Sequence, residues 1–237
     1  MNLLALDTST DLMSIALQRG AGAATTLWQH TAAGGAQTST HLIPEILRLM
    51  ALAEMRFADL DAIVFGAGPG SFTGLRTACS VAQGLAFGAA LPVLPVDTLL
   101  AVAEEARWQS GGAQRFAVTA LLDARMDELY TADYAFANGI WTQGGSYRLI
   151  KPELLACSGT NVLAGNVFDS YGARLPGLAT RIAALPTAAA LLRLAPALLA
   201  AGAAVAAEHA LPTYIRDKVA QTTQERAAIK ALAAEAP

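Results

Sequence analysis

Apolar residues in this chain gather into short runs that stop at carboxylates or glycines, and these runs alternate with longer stretches of helical spacing. Leu3 to Thr8 is a nearly continuous apolar run that ends in Asp7-Thr-Ser-Thr-Asp11, and Met13 to Gln18 and Ala24 to His30 follow with turn residues between them. Three such runs with short breaks predict an antiparallel meander of strands. Near Ser39 the spacing becomes helical. At roughly 100° per residue, Leu42, Ile43, Ile46, Leu47, Leu49, Met50 and Ala53 cover about 160°, wider than the ~100° stripe that faces one core. Burial between elements of one domain would account for the excess, as would contact with another chain. The second reading is the expectation, with Leu42, Ile46, Leu49 and Met50 on the contact face.

The next pattern is a strand, a glycine loop and a helix. Ile63 to Gly66 is apolar, Gly66-Ala-Gly68-Pro-Gly70 turns the chain, and Ser71 is a good N-cap for a helix reaching about Phe87. The free N–H groups of that helix could meet a phosphate, or the loop could simply pack the helix on its own strand. Leu75, Cys79, Ala82 and Ala86 share a side suited to a core, whereas Arg76, Ser80, Gly84 and Gly88 form a small-residue stripe. Each helical glycine costs about 1 kcal/mol against alanine, which calls for a packing reason such as the close approach of a second helix. Arg76, Ser80, Gly84, Phe87 and Gly88 are therefore expected at a protein interface.

Beyond this point the plan repeats. Leu91 to Val96 is a strand closed by Asp97, a helix runs from Thr98 to about Trp108, and Ser110-Gly-Gly112 breaks the chain. Phe116 to Leu122 then ends in Asp123, Glu128 to Tyr134 and Ser146 to Ile150 read as further strands, Val162 to Ala164 mirrors Ile63 to Gly66, and Ala188 to Ala201 is a late helix. Repetition at this scale predicts two units, 1–109 and 110–216, with a tail at 217–237 that could form a short amphipathic helix. Duplicated units of this kind resemble the α/β plan of the actin, hexokinase and Hsp70 (ASKHA) superfamily, two subdomains of mixed sheet with helices. In that superfamily ATP lies between the halves. Asp7 and Asp123 occupy comparable strand ends, although a carboxylate there is also ordinary turn chemistry.

Composition narrows the function. With 237 residues, 54% of them hydrophobic, the chain can bury a large core. Only 15% are charged and the net charge is −3, which argues against holding a polyanion on this chain alone. Cys79 and Cys157 have no Cys-x-x-Cys spacing and read as reduced thiols in a cytoplasmic setting. The opening Met1-Asn-Leu-Leu-Ala-Leu lacks the basic region of a signal peptide. Ala183 to Ala207 is apolar but mostly alanine, broken by Pro186 and Pro196, and its Arg193 opposes membrane insertion by roughly 2.5 to 3.5 kcal/mol. A soluble helix, broken or kinked near Pro196, is expected there.

Several longer motifs sharpen the picture: Leu4-Ala-Leu-Asp-Thr-Ser-Thr10, Gly68-Pro-Gly-Ser-Phe-Thr-Gly-Leu-Arg76, Ala82-Gln-Gly-Leu-Ala86, Leu122-Asp-Ala-Arg-Met126 and Glu208-His-Ala-Leu-Pro-Thr-Tyr-Ile-Arg216. In this order they resemble the bacterial TsaB family, also called YeaZ. The resemblance implies a cytoplasmic, non-catalytic partner of the TsaD subunit. With TsaD and TsaE it would support threonylcarbamoyl transfer to adenosine 37 of tRNA, and tRNA would meet it only through the complex. It also implies pairing through the helices Thr40 to Met55 and Ser71 to Phe87, as a homodimer or with TsaD. No cofactor is implied for the isolated chain, with ATP and magnesium a possibility in the complex. Asp7, Thr8, Ser9, Gly68, Gly70, Ser71 and Asp123 are the candidates for contact with nucleotide or phosphate.

Other chemistries find less support. His30, His41 and His209 are not spaced four apart, so the His-x-x-x-His metal pair implied for the catalytic relative is absent, and no metal site is expected. A stand-alone ASKHA-type ATPase or small-molecule kinase is the alternative, through Asp7 and Asp123. A dinucleotide site at Gly66, Gly68 and Gly70 with Asp97 is opposed by the three strands ahead of it. The glycine loop has no Lys-Ser/Thr pair of a Walker type, and Ser71 lacks a nucleophile elbow.

Overall fold

The computed structural model describes residues 1–156, 162–177 and 179–216. Cys157 and the tail 217–237 lie outside the described residues. The first sheet contains β1 (Leu3–Asp7), β2 (Leu12–Arg19), β3 (Thr26–Ala33), β4 (Ala62–Gly68) and β5 (Val93–Asp97), ordered β3-β2-β1-β4-β5. The first three strands are the expected antiparallel meander, and β4 and β5 add in parallel to β1. α1 (Thr38–Leu52) and α2 (Phe72–Ala89) cross between them.

The second sheet repeats this order. β6 (Arg115–Asp123), β7 (Leu129–Ala137), β8 (Ile140–Gln143), β10 (Val162–Gly165) and β11 (Arg181–Ala183) run β11-β10-β6-β7-β8. β9 (Arg148–Ile150) pairs with β7 as well. The expected strand within Ser146 to Ile150 is present as β9, and a further strand, β8, precedes it: β8 pairs with Tyr134–Ala137, and β9 with Leu129–Thr131. A nine-residue β7 is long enough to carry both, and Gly144-Gly145 separates them.

Packing follows from which strand faces are apolar. Alternate residues of β1 and β4 point to opposite sides. Leu4, Leu6, Ile63 and Phe65 meet α1 and α2 on the outer face, while Leu3, Ala5, Ala62 and Val64 face α5 (Ala188–Ala200). α5 therefore packs on the first sheet although its sequence follows the second. It runs unbroken through Pro196, because buried Leu191, Leu192, Leu194 and Ala195 hold it down despite the lost N–H. α3 (Thr98–Gln109) covers the inner face of the second sheet, where Leu99, Val102 and Ala106 meet Val118, Ala120 and Leu122. Among the described residues, the outer face of that second sheet has a thinner cover of Leu155, Val167 and Leu175, with the four-residue α4 (Phe168–Tyr171) nearby.

Buried Glu104 joins the inner layer. It accepts from Arg107 on its own helix at 2.9 and 3.0 Å, from Arg193 Nε of α5 at 3.0 Å and from Trp141 Nε1 of β8 at 3.0 Å. A buried carboxylate is tolerated because it is so fully hydrogen-bonded. The last described segment returns to the first half: Val205 bridges Val93, Ala207 and Ala210 enter the outer core, and Thr213 N–H donates to Ala67 O at 2.7 Å. No helix among the described residues is long and apolar enough to cross a membrane.

Candidate functional site

The β1–β2 turn, the glycine loop, the β6–β7 turn and Asn166 meet at a cleft of about 350 Å³ between the halves. Asp7, Thr8 and Ser9 stand at the base of its first wall and are all buried. Asp7 Oδ1 accepts from Ser9 N–H at 2.9 Å and from Ser9 Oγ at 2.7 Å. Its Oδ2 is buried with no hydrogen-bond partner. Burial raises the Asp7 pKa to about 6 against the opposing pull of the Ser9 bonds. Gly66 makes this seat possible, since a Cβ there would lie 1.8 Å from Asp7 Oδ2. Gly74 likewise lets α2 press on the turn, where a Cβ would lie 1.8 Å from Thr8 O.

Gly68 is buried in β4, with an added Cβ 2.5 Å from Thr213 O, and Gly70 would place one 2.5 Å from Ser9 O. Ser71 caps α2 by accepting from Gly74 N–H, as expected. The glycine loop therefore serves close packing of its helix on the β1–β2 turn and the returning segment, while Ser71 itself stays exposed beside the cleft.

Asp123 forms the opposite wall. Its Oδ1 accepts from Arg125 N–H at 2.8 Å and from Tyr171 Oη at 3.1 Å, and Arg125 Nη1 lies 3.3 Å from Oδ2. Arg125, Met126 and Asp127 have φ of 60, 54 and 63°, a left-handed run that ordinary side chains seldom adopt. This turn carries Arg125 across the cleft, where Nη2 donates to both Asp11 oxygens at 2.9 and 2.8 Å. The two expected carboxylates thus do not form a pair facing one ligand. Asp7 has no accessible free oxygen and Asp123 is already engaged, so the residues present do not fit a magnesium–phosphate site built on both.

Sequence reasoning missed Arg125, Tyr214 and Arg216, though all three lie within the matched motifs. Arg216 also lines the cleft, and its Nη2 makes an ion pair with Glu128 at 2.5 Å. Beside it a broader cavity of about 750 Å³ lies under the returning segment. There the Arg76 guanidinium sits 3.8 Å from the Phe72 ring centroid, and Arg76 Nε donates to Tyr214 Oη at 3.0 Å. Asp97 is not free to meet a ribose: it caps α3 through Leu99 N–H at 2.9 Å and accepts from Tyr134 Oη. Burial pushes its pKa up, opposed by hydrogen bonds that include those from Tyr134 and Tyr147. No group of three or more His, Cys, Asp and Glu is placed to hold a metal among the described residues.

The helix pair needs one correction. Leu42, Ile46, Leu49 and Met50 were expected at a partner, but they are buried in the outer core, Ile46 at 0% exposure. That side of α1 rests on its own sheet and α2, so it cannot touch another chain. The outward side carries Ile43, Leu47 and Leu52 instead. On α2, Arg76, Ser80, Gly84, Phe87 and Gly88 are all exposed, Phe87 at 79%. A Cβ at Gly84 or Gly88 would meet nothing within 4 Å.

Comparison with known proteins agrees with this architecture. Residues 29–162 match the family model for TsaD, tRNA N6-adenosine threonylcarbamoyltransferase. The chain is 36% identical over 230 residues to the tRNA threonylcarbamoyladenosine biosynthesis protein TsaB of Escherichia coli, covering 93% of this chain and 96% of that one. It is 42% identical over 134 residues to the Haemophilus influenzae TsaB, covering 55% and 52% respectively. The structure of YeaZ from Pseudomonas aeruginosa superposes with a TM-score of 0.81 at 37% identity, over 90% of this chain and 99% of that one. A second Pseudomonas aeruginosa structure, described as similar to the peptidase YeaZ, gives a TM-score of 0.80 at 37% identity, over 91% and 99%. With a near full-length relative and a matching duplicated fold, the chain belongs to the TsaB (YeaZ) family, whose named members are tRNA threonylcarbamoyladenosine biosynthesis proteins.

Proposed function

We propose that this protein takes part in threonylcarbamoyladenosine formation as a non-catalytic partner, docking on TsaD through the outward face of α1 and α2 and holding that subunit in an active geometry. The observation that carries this reading is the pair Gly84 and Gly88. Nothing within the subunit requires them, yet each weakens its helix by about 1 kcal/mol, and they lie beside the exposed Phe87 ring. A second helix approaching closely over the glycines, with Phe87 and Leu47 as apolar anchors, supplies the missing reason. The same face serves for pairing of two copies when TsaD is absent. TsaE and tRNA meet the assembly rather than this chain alone. ATP and magnesium enter this reading only at the surface shared with TsaD.

A reconstitution tests it. With TsaD, TsaE, threonylcarbamoyl-adenylate, ATP and tRNA, modified nucleoside should form only when this chain is added. Gly84→Leu should leave the monomer folded, weaken its sedimentation with TsaD and lower product formation in parallel. Full product without the chain would remove the proposed role, and undiminished association of the variant would remove the proposed face.

A further inference from the structure

The cavity of about 750 Å³ under the returning segment has no part in the docking reading. Its volume falls within the roughly 300 to 1,000 Å³ of sites that hold a small organic ligand. The segment is anchored on either side of it: Thr213 N–H donates to Ala67 O at 2.7 Å, and Arg216 pairs with Glu128. Gly68 permits the first approach, since an added Cβ would lie 2.5 Å from Thr213 O and 3.1 Å from Leu75 Cδ1. Buried Pro69 and Leu75, with the half-buried Ile215, give the cavity an apolar wall.

The rim is polar and already arranged. Arg76 Cζ lies 3.8 Å from the Phe72 ring centroid and 6.0 Å from that of Tyr214, and the two ring centroids are 5.3 Å apart. Arg76 Nε donates to Tyr214 Oη at 3.0 Å, its one side-chain hydrogen bond among the described residues. Both Nη groups and the Tyr214 hydroxyl proton are left for another acceptor. Ring stacking and the Nε bond hold the guanidinium in place, so a ligand that meets it need order little. No carboxylate lines the cavity, and Arg216, the other cation there, is matched by Glu128. One unopposed positive charge therefore stands beside an apolar wall.

We propose that this cavity binds a small-molecule monocarboxylate with an aromatic or branched aliphatic body. The carboxylate meets the Arg76 Nη groups and the Tyr214 hydroxyl, and the body lies against Pro69, Leu75 and Ile215. A carboxylate brings the single negative charge that is missing, and its two oxygens suit a guanidinium edge. A phosphomonoester brings roughly 1.5 to 2 charges at neutral pH, more than Arg76 alone balances. Arg76 lies about 12 Å along α2 from Gly84, so the site does not depend on the docking reading.

The test titrates phenylacetate into the full-length, ¹⁵N-labelled protein, with uncharged phenylacetamide and with AMP in parallel arms. Saturable phenylacetate shifts are expected at the amides of Leu75, Arg76 and Tyr214. Phenylacetamide should bind about tenfold more weakly, and Arg76→Gln should lower phenylacetate affinity by about the same factor, the usual effect of losing a hydrogen bond to a charged group. Equal affinity for the acid and the amide, or unchanged affinity in Arg76→Gln, would overturn the site. So would a non-saturating response, shifts centred on Asp11 and Arg125, or tighter binding of AMP at the same amides. The wild-type comparison of acid with amide decides the matter even where the variant fails to fold.

Discussion

The two halves share a strand order but differ in what covers them and in how they treat their strand-end aspartates. Two helices, of 15 and 18 residues, lie outside the first sheet, whereas the second has a four-residue helix and short turns there. Asp7 and Asp123 both accept the N–H of the residue two positions on, at 2.9 and 2.8 Å. One is then sealed beneath a glycine, and the other stays in the cleft with Tyr171 and Arg125. Identical turn chemistry has thus been put to different use by its neighbours across the sheet. The first half has given its strand end to packing and its outer surface to helices, while the second keeps its carboxylate at the cleft wall, engaged by Arg125 and Tyr171.

Glycine substitutions break this comparison most strongly. Gly165→Ala places a Cβ 1.9 Å from Leu121 O, and Gly66→Ala places one 1.8 Å from Asp7 Oδ2. Each should destabilise the chain by about 3 kcal/mol or more in urea titrations. A backbone oxygen cannot move aside as a side chain can. Removing the carboxylate with Asp7→Ala should therefore recover much of the Gly66→Ala loss, whereas no side-chain deletion should recover Gly165→Ala. Additive losses in the Asp7/Gly66 double variant would refute the proposed fit between the two.

Protonation sharpens the contrast further. The folded Asp7 pKa of about 6 lies above its ordinary 3.8, so folding strengthens proton binding. This contribution to stability is complete below about pH 4 and is lost as the pH rises through about 6, a change of about 3 kcal/mol. The stability of Asp7→Asn minus that of the wild type should accordingly grow by about that amount between pH 4 and pH 7. A constant difference would mean that Asp7 ionises as freely as a solvated carboxylate. The smallest effect belongs to the cleft bridge. Arg125 and Asp11 have side chains 68% and 80% exposed, so Arg125→Ala should cost less than about 1 kcal/mol and less still in high salt.

Much of this architecture is legible in the sequence because its signals are local. Apolar runs ending at Asp7, Asp97 and Asp123 mark strands, Ser71 caps a helix, and the repeated order of elements reveals the duplication. The correct side of α1 was not legible. Its apolar arc includes both Ile46, which faces the sheet, and Leu47, which faces outward, and periodicity cannot say which side the sheet takes. The fates of Asp7 and Asp123 were equally hidden, because the difference rests on Gly66 and Tyr171, neighbours brought near only by folding. Arg125 reaches Asp11 across 114 positions, and Arg76 reaches Tyr214 across 138. Contacts that distant leave no spacing to read. β8 was not legible because it is a four-residue strand that shares β7 with the expected β9.

The route of the final described segment bears on how the chain is made. α5 supplies the inner packing of the first sheet, and Val205, Ala207, Ala210 and Thr213 close its outer side and glycine loop. During synthesis the opening strands emerge long before these residues. The half whose strands leave the ribosome first is therefore the last to be finished, and the inner face of its sheet must wait for α5 until most of the described chain has followed.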